Sequence, residues 1–138
     1  MSLLIENFEQ RYRLGVEQMD ETHSSFVTLV NRLDEAGKSE FVELFSQLVN
    51  HTKEHFAQEE RWMETSDFPA TREHRDDHQR VLGELERFAQ RVASGSVTMG
   101  RAYVTQQLPH WFDLHAKTMD SALAAHLKDG NMEAIPDS

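Results

Sequence analysis

The chain is predicted to be all-α: an antiparallel up-down-up-down four-helix bundle preceded by an N-terminal arm. Three observations predict it. Gly37, Pro69, Gly95, Gly100 and Gly130 stand at break points along the 138 residues. The stretches between them are rich in Leu, Glu, Gln, Arg and Ala, which favour helix. Within those stretches apolar residues recur three and four apart, the period of a helix face. The length suits a single domain over 1–138, with the arm at about 1–18 and the bundle at about 19–129.

Each helix follows from its own pattern. "THSSFVTLVNRLDEA" puts His23, Phe26, Val27, Val30 and Leu33 on one face. "SEFVELFSQLVNHTKEHFAQEERWMETS" opens on Ser39, the expected N-cap, and runs Leu44, Leu48, His55, Glu59, Met63 along its inner side. The third helix has Pro69 near its start and Gly95 past its end, the usual asymmetry of helix termini. Its expected inner stripe is His74, His78, Leu82, Leu85, Ala89 and Val92. The fourth is helical except at Pro109, which should kink or interrupt it. Short connections make successive helices antiparallel neighbours.

Composition narrows the function. With 38% hydrophobic and 28% charged residues, the chain has the makeup of a folded globule. A formal net charge of −10 argues against nucleic acid or an anionic membrane as partner, since both select clustered Lys and Arg. No apolar run approaches the roughly 18 residues that span a bilayer, and "MSLLIENFEQRYR" lacks the features of a signal peptide. A cytoplasmic location is expected. Cysteine is absent, which excludes disulfides, thiolate metal sites and a cysteine nucleophile.

The histidines carry the chemistry. Positions i and i+4 lie one turn apart on one helix face, so His55 projects with Glu59 and His74 with His78. His23 lies on the apolar stripe of the first helix, and His115 continues Leu108 and Trp111 on the fourth. Every helix thus turns polar donors toward the core. Burying unpaired imidazoles and carboxylates is costly, and a metal at the bundle centre is the simplest compensation. A lone H-x-x-x-H is weak evidence; convergence from all four helices is what raises it. Asp120 resists the pattern. It stands five residues after His115, about 140° away on an ideal helix. Either a π-type bulge swings it inward or it enters from the flank; periodicity alone favours Met119.

The set His23, "HFAQEE", "HRDDH" and "HAKTMD", flanked by "YRLGVEQMDETH" and by Trp111 four residues before His115, resembles the hemerythrin family in its bacterial single-domain form. The likeness covers roughly residues 12–128. It implies seven metal ligands: His23, His55, Glu59, His74, His78, His115 and Asp120. It further implies two Fe ions bridged by oxo or hydroxo, with His74, His78 and His115 on one iron, His23 and His55 on the other, and both carboxylates across the pair. Counting bonds on two octahedral ions then leaves one position open, on the two-histidine iron. Nitrogen and oxygen donors suit iron, while zinc in a structural site prefers fewer ligands.

The function so implied is reversible O2 binding at a non-haem di-iron centre, for oxygen storage, delivery or sensing, in a protein that is not an enzyme. An oxygen-consuming enzyme or a separate signalling protein would be the partner. Phe26, Phe56, Trp111, Phe112 and Ala116 are candidates to line a dry O2 pocket, with Trp62 a marginal one. Phe112 stands where the family usually has Leu and Ala116 where Ile is usual, a compensating pair one turn apart. His51, where the family often has Tyr, is a candidate second-layer donor or a structural residue; His110 and His126 carry no matched role. The competing reading is a di-iron enzyme (peroxidase, oxidase or nitric-oxide handling) or an iron store. The E-x-x-H pairs of ferritin-like oxidases are absent from the chain.

Overall fold

The computed structural model describes residues 4–130. A short helix α1 (Phe8–Arg11) precedes the long helices α2 (Glu17–Glu35), α3 (Lys38–Thr65) and α4 (Thr71–Ala93). The fourth rod, 98–129, is composite: α5 (Thr98–Ala102), a π-helical turn Tyr103–Gln107, α6 (Leu108–His115), a second π-helical turn Ala116–Asp120, and α7 (Ser121–Asp129). Neighbours in sequence pack together, α2 on α3, α3 on α4 and α4 on α5, and α2 closes the ring against the first π turn. The four-helix bundle is therefore as expected.

The helix ends follow local chemistry, with corrections. α3 is capped by Gly37, not Ser39, which lies inside the first turn without a capping bond. At the other end Asp67 takes a left-handed φ of 56°. Its N–H donates to Glu64 (3.3 Å) and that of Phe68 to Met63 (2.9 Å), a Schellman closure in which Phe68 also packs in one apolar cluster with Met63. α4 closes the same way at Gly95 (φ 95°), with bonds Gly95 to Val92 and Ser96 to Arg91 of 2.9 Å each. Gly100 is not a break. It lies within α5, where an added Cβ would come within 2.7 Å of a Val92 methyl carbon, so glycine is there to let two helices approach. The interruption expected at Pro109 takes the form of the π turn just before it, ending at Gln107 with φ −105°.

Two apolar clusters fill the bundle. The larger includes Phe26, Leu33, Phe41, Phe45, Leu48, Val81, Leu85, Leu108 and Phe112. The smaller holds Val16, Met19, Trp62, Met63, Phe68, Leu123, Ala124 and Leu127. On α4 the buried stripe is His74, His78, Val81, Leu85 and Val92; Leu82 and Ala89 are only partly buried, because the face follows the 3-then-4 step from His78. On each long helix the polar donors fall in the layer between the two clusters.

The arm contributes to the core. Ile5, Tyr12 and Val16 are buried. Asn31 clamps Ile5 through both its N–H and its carbonyl (2.9 and 3.1 Å). The buried Asp20 carboxylate accepts the N–H groups of Leu14 (2.7 Å) and Gly15 (3.0 Å), and Lys128 donates to the Leu14 carbonyl. Gly15 has φ 86°, a conformation that favours glycine. These bonds tie the arm to α2 and to the end of α7.

Candidate metal centre

All seven candidate ligands are buried: His23, His55, Glu59, His74, His78, His115 and Asp120. They converge from all four rods. The i+4 pairs on α3 and α4 project as the helical period requires. Asp120 reaches the same layer because the π turn Ala116–Asp120 adds one residue to the turn. The same insertion leaves Met119 only partly buried, so the inner position that periodicity favoured for Met119 goes to Asp120.

The decisive geometry lies in the two carboxylates. Glu59 turns Oε2 toward His23 and His55 (3.3 and 2.7 Å to Nε2) and Oε1 toward His74 and His78 (3.4 and 3.2 Å). Asp120 divides in the same sense: Oδ2 faces His23 (3.0 Å), while Oδ1 faces His74 and His115 (3.0 and 3.1 Å). Two donor groups result, His23, His55 and Glu59, and Glu59, His74, His78, His115 and Asp120. Each carboxylate therefore has one oxygen beside each histidine set. Among the described residues, Nε2 of His23, His74, His78 and His115, Glu59 Oε1 and Asp120 Oδ1 are buried without a hydrogen-bond partner. Such a set is costly for a core to leave unmatched, and its nitrogen and oxygen donors fit a pair of divalent or trivalent cations.

Electrostatics agree. Burial pushes the His23 and His115 imidazoles down, but Asp120 and Glu59 outweigh it and raise each to about 10. His74 is raised to about 9 against the same penalty of burial. Burial pushes Glu59 up, yet His55, His23 and His74 hold it well below the ordinary carboxylate range. Asp120 is held low by His115 and His23 despite burial and the neighbouring Glu59. Without metal the two carboxylates thus favour the protonated form of these imidazoles. A metal needs their lone pairs, so binding must expel protons. Metal affinity is expected to rise with pH from neutrality toward 10, with proton release measurable by calorimetry in buffers of different ionisation enthalpy; a pH-independent affinity would contradict this. The sign for the metal-free fold is opposite. Its raised histidines stabilise fully below their ordinary 6.5 and lose that contribution as pH climbs through about 9 to 10.

A second layer holds the imidazoles. Asp77 Oδ2 accepts His115 Nδ1 (2.7 Å) and the Trp111 indole N–H (2.9 Å), and Arg80 donates to its other oxygen (2.9 Å). Glu60 pairs with His78 Nδ1 at 3.0 Å. Neither carboxylate stands out in the sequence as functional, although Asp77 lies inside "HRDDH". Phe56 stacks on the His78 ring (3.8 Å, 3°) and Trp111 on His115 (4.7 Å, 23°). Phe112 meets His23 edge-on at 5.7 Å and stacks on Phe26 at 5.2 Å. Ala116 is fully buried. Of the five expected pocket residues, Phe56, Trp111 and Phe112 lie against ligand histidines, Phe26 packs on Phe112, and Ala116 is buried. Trp62 belongs to the smaller apolar cluster. Nε2 of His51 donates to the Thr22 carbonyl (3.2 Å), and that of His126 to Ser66 (2.9 Å). His110 is exposed.

Comparison with known proteins agrees with this geometry. A family model described as Hemerythrin HHE cation binding domain matches residues 14–136. The chain is 35% identical over 127 residues to a bacteriohemerythrin of Ralstonia nicotianae, covering 92% of each. It is 24% identical to a bacteriohemerythrin of Pseudomonas aeruginosa, covering 89% of this chain and 82% of that one. A crystal structure of a hemerythrin mutant superposes with a TM-score of 0.83 at 18% identity, over 91% of this chain and 98% of the other; at that identity the likeness speaks to the fold. No helix among the described residues is long and apolar enough to cross a membrane.

Proposed function

Because the chain belongs to the hemerythrin family, we propose that its buried donors hold two iron ions and that the pair binds O2 reversibly. The observation that carries this reading is the split of each carboxylate, one oxygen toward either histidine set. His74, His78 and His115 would hold one iron, His23 and His55 the other, and Glu59 and Asp120 both. When bound, such a pair supplies one electron per metal to O2 and recovers both on release.

The chain's own residues keep that exchange reversible. Phe112, edge-on to His23 and backed by the buried Phe26, would keep water from the two-histidine side, which limits loss of an oxidised product. The phenol that packs against Phe112 is already engaged. Tyr12 packs on Phe112 at 5.0 Å but donates a hydrogen bond from its hydroxyl to Asp113 at 2.6 Å. Burial and that bond raise its pKa to about 12, so it is not poised to protonate a bound ligand. Asp77 and Glu60 fix the His115 and His78 rings with Nε2 inward. Storage or delivery of O2, in the cytoplasm, is the role preferred.

Phe112→Leu is expected to cost roughly 1 kcal/mol of stability as a shape change in the core and to alter both O2 dissociation and autoxidation. Stopped-flow release and the decay of the oxygenated spectrum measure the two rates; if neither moves, the pocket assignment fails. The function itself is tested by cycling reduced, iron-loaded protein between O2 and argon. A visible band that appears with O2 and vanishes on its removal, through repeated cycles, supports a carrier. Permanent oxidation on first exposure with turnover of added reductant would indicate an enzyme.

A further inference from the structure

We propose that the polar cavity beside α2 and α3 is the mouth through which a divalent metal enters the buried centre, with Glu54 and His51 as its first holding groups. This rests on the metal-centre reading above. The seven candidate ligands are at most 6% exposed as whole residues, the highest value being that of His55. A hydrated ion can approach such a centre only where an opening touches one of them.

Two cavities do. One, of about 290 Å³, ends on His74 between Phe68, Ala70, Met119 and Ala122, with Glu73 and Thr118 exposed at its edge. Beyond that edge its inner wall is apolar up to His74, and a dication would shed its water there with little to replace it, which is costly. The other, of about 390 Å³, ends on His55 and is lined by Thr22, His51, Glu54, Gln58 and Arg61. His51, His55 and Glu59 follow at i+4 steps down α3, with Glu54 and Gln58 beside them. An ion leaving water therefore meets a polar donor at each turn. Glu54 stands exposed at the rim. The His51 ring lies 6.1 Å from that of His55. Its Nε2 donates to the Thr22 carbonyl, which in the neutral ring leaves the lone pair on Nδ1, a ligating nitrogen. At the cavity's end the His55 Nδ1 is buried without a partner among the described residues. Arg61, also on the wall, is engaged in an interaction of its own.

The test is the rate at which the metal-free full chain takes up Co2+, followed anaerobically by its visible absorption. Glu54→Gln and His51→Ala are compared with the wild type and with Glu21→Gln. Glu21 lines a separate polar cavity that contains none of the seven ligands, so its variant makes the same change in net charge elsewhere. Loss of the local charge at the mouth should slow uptake about tenfold in Glu54→Gln, as for steered association, with slower uptake in His51→Ala as well. All four proteins should reach the same final metal content, and Glu21→Gln should load like the wild type. Equal rates in Glu54→Gln and the wild type overturn the proposal, as does equal slowing in Glu54→Gln and Glu21→Gln. A wild type that takes up no Co2+ at any time overturns it by removing the metal centre itself, and final content separates that case from the others. Glu54→Gln keeps its shape at an exposed position, so it decides the matter even if His51→Ala loosens the Thr22 contact.

Discussion

Glu59→Gln is expected to lower the metal content from two ions per chain to one or none and to abolish the O2-dependent band. Glu59 is the residue shared by both donor groups. Its Oε2 serves the His23 and His55 side and its Oε1 the His74 and His78 side. An amide has one oxygen, so the other position becomes an N–H pair aimed at imidazole nitrogens that must themselves bind metal. Shape is kept while one side loses its bridge. The metal-free fold suffers too. Three imidazoles are raised to about 9 or 10 with Glu59 among the causes, and removing one member of a buried charge cluster typically costs about 3–5 kcal/mol. Metal analysis and thermal melts of the metal-free variant measure the two effects. A variant that retains two irons per chain would remove Glu59 from the bridging role.

The second large effect is expected at Asp77, which touches no candidate metal position. Asp77→Ala releases the His115 Nδ1 and the Trp111 indole N–H together. His115 is then free to turn, and Trp111 loses the bond that holds it stacked on that ring. Loss of such an outer partner typically weakens metal affinity about 10- to 100-fold. Chelator competition measures the loss, and Asp77→Asn should restore part of it, since its amide oxygen still accepts one bond. The matching change at Glu60 should be milder. Its side chain is 28% exposed against 17% for Asp77, so water can replace it at His78. Equal affinity in wild type and Asp77→Ala would show that packing alone orients His115.

Much of this site is readable in the sequence because helical spacing is local. His55 with Glu59 and His74 with His78 need only the i+4 period, and the core positions of α2 need nothing more. Asp120 shows where that reasoning stops. An ideal helix turns it away from His115, and only the inserted residue of a π turn brings it back; the family resemblance, not periodicity, selects it. Gly100 reads as a break, while its actual role is a close approach to Val92 that no local rule reveals. Asp77 and Tyr12 were not legible for a related reason. Their partners lie 38 and 101 residues away along the chain, so the bonds exist only once the helices have packed. The cap of α3 fell to Gly37 because a loop as short as 36–37 must turn sharply out of α2, which outweighs the side-chain preference of Ser39.

The most direct measurement is Mössbauer spectroscopy of the protein loaded with 57Fe, alongside total iron. On the proposed reading, the split carboxylates and the unequal histidine sets would hold two irons per chain in two different environments. Two quadrupole doublets of equal area, from ions whose spins are coupled through their bridge in the oxidised state, are the predicted result. A single iron per chain, or the magnetic spectrum of an isolated ferric ion, would contradict it.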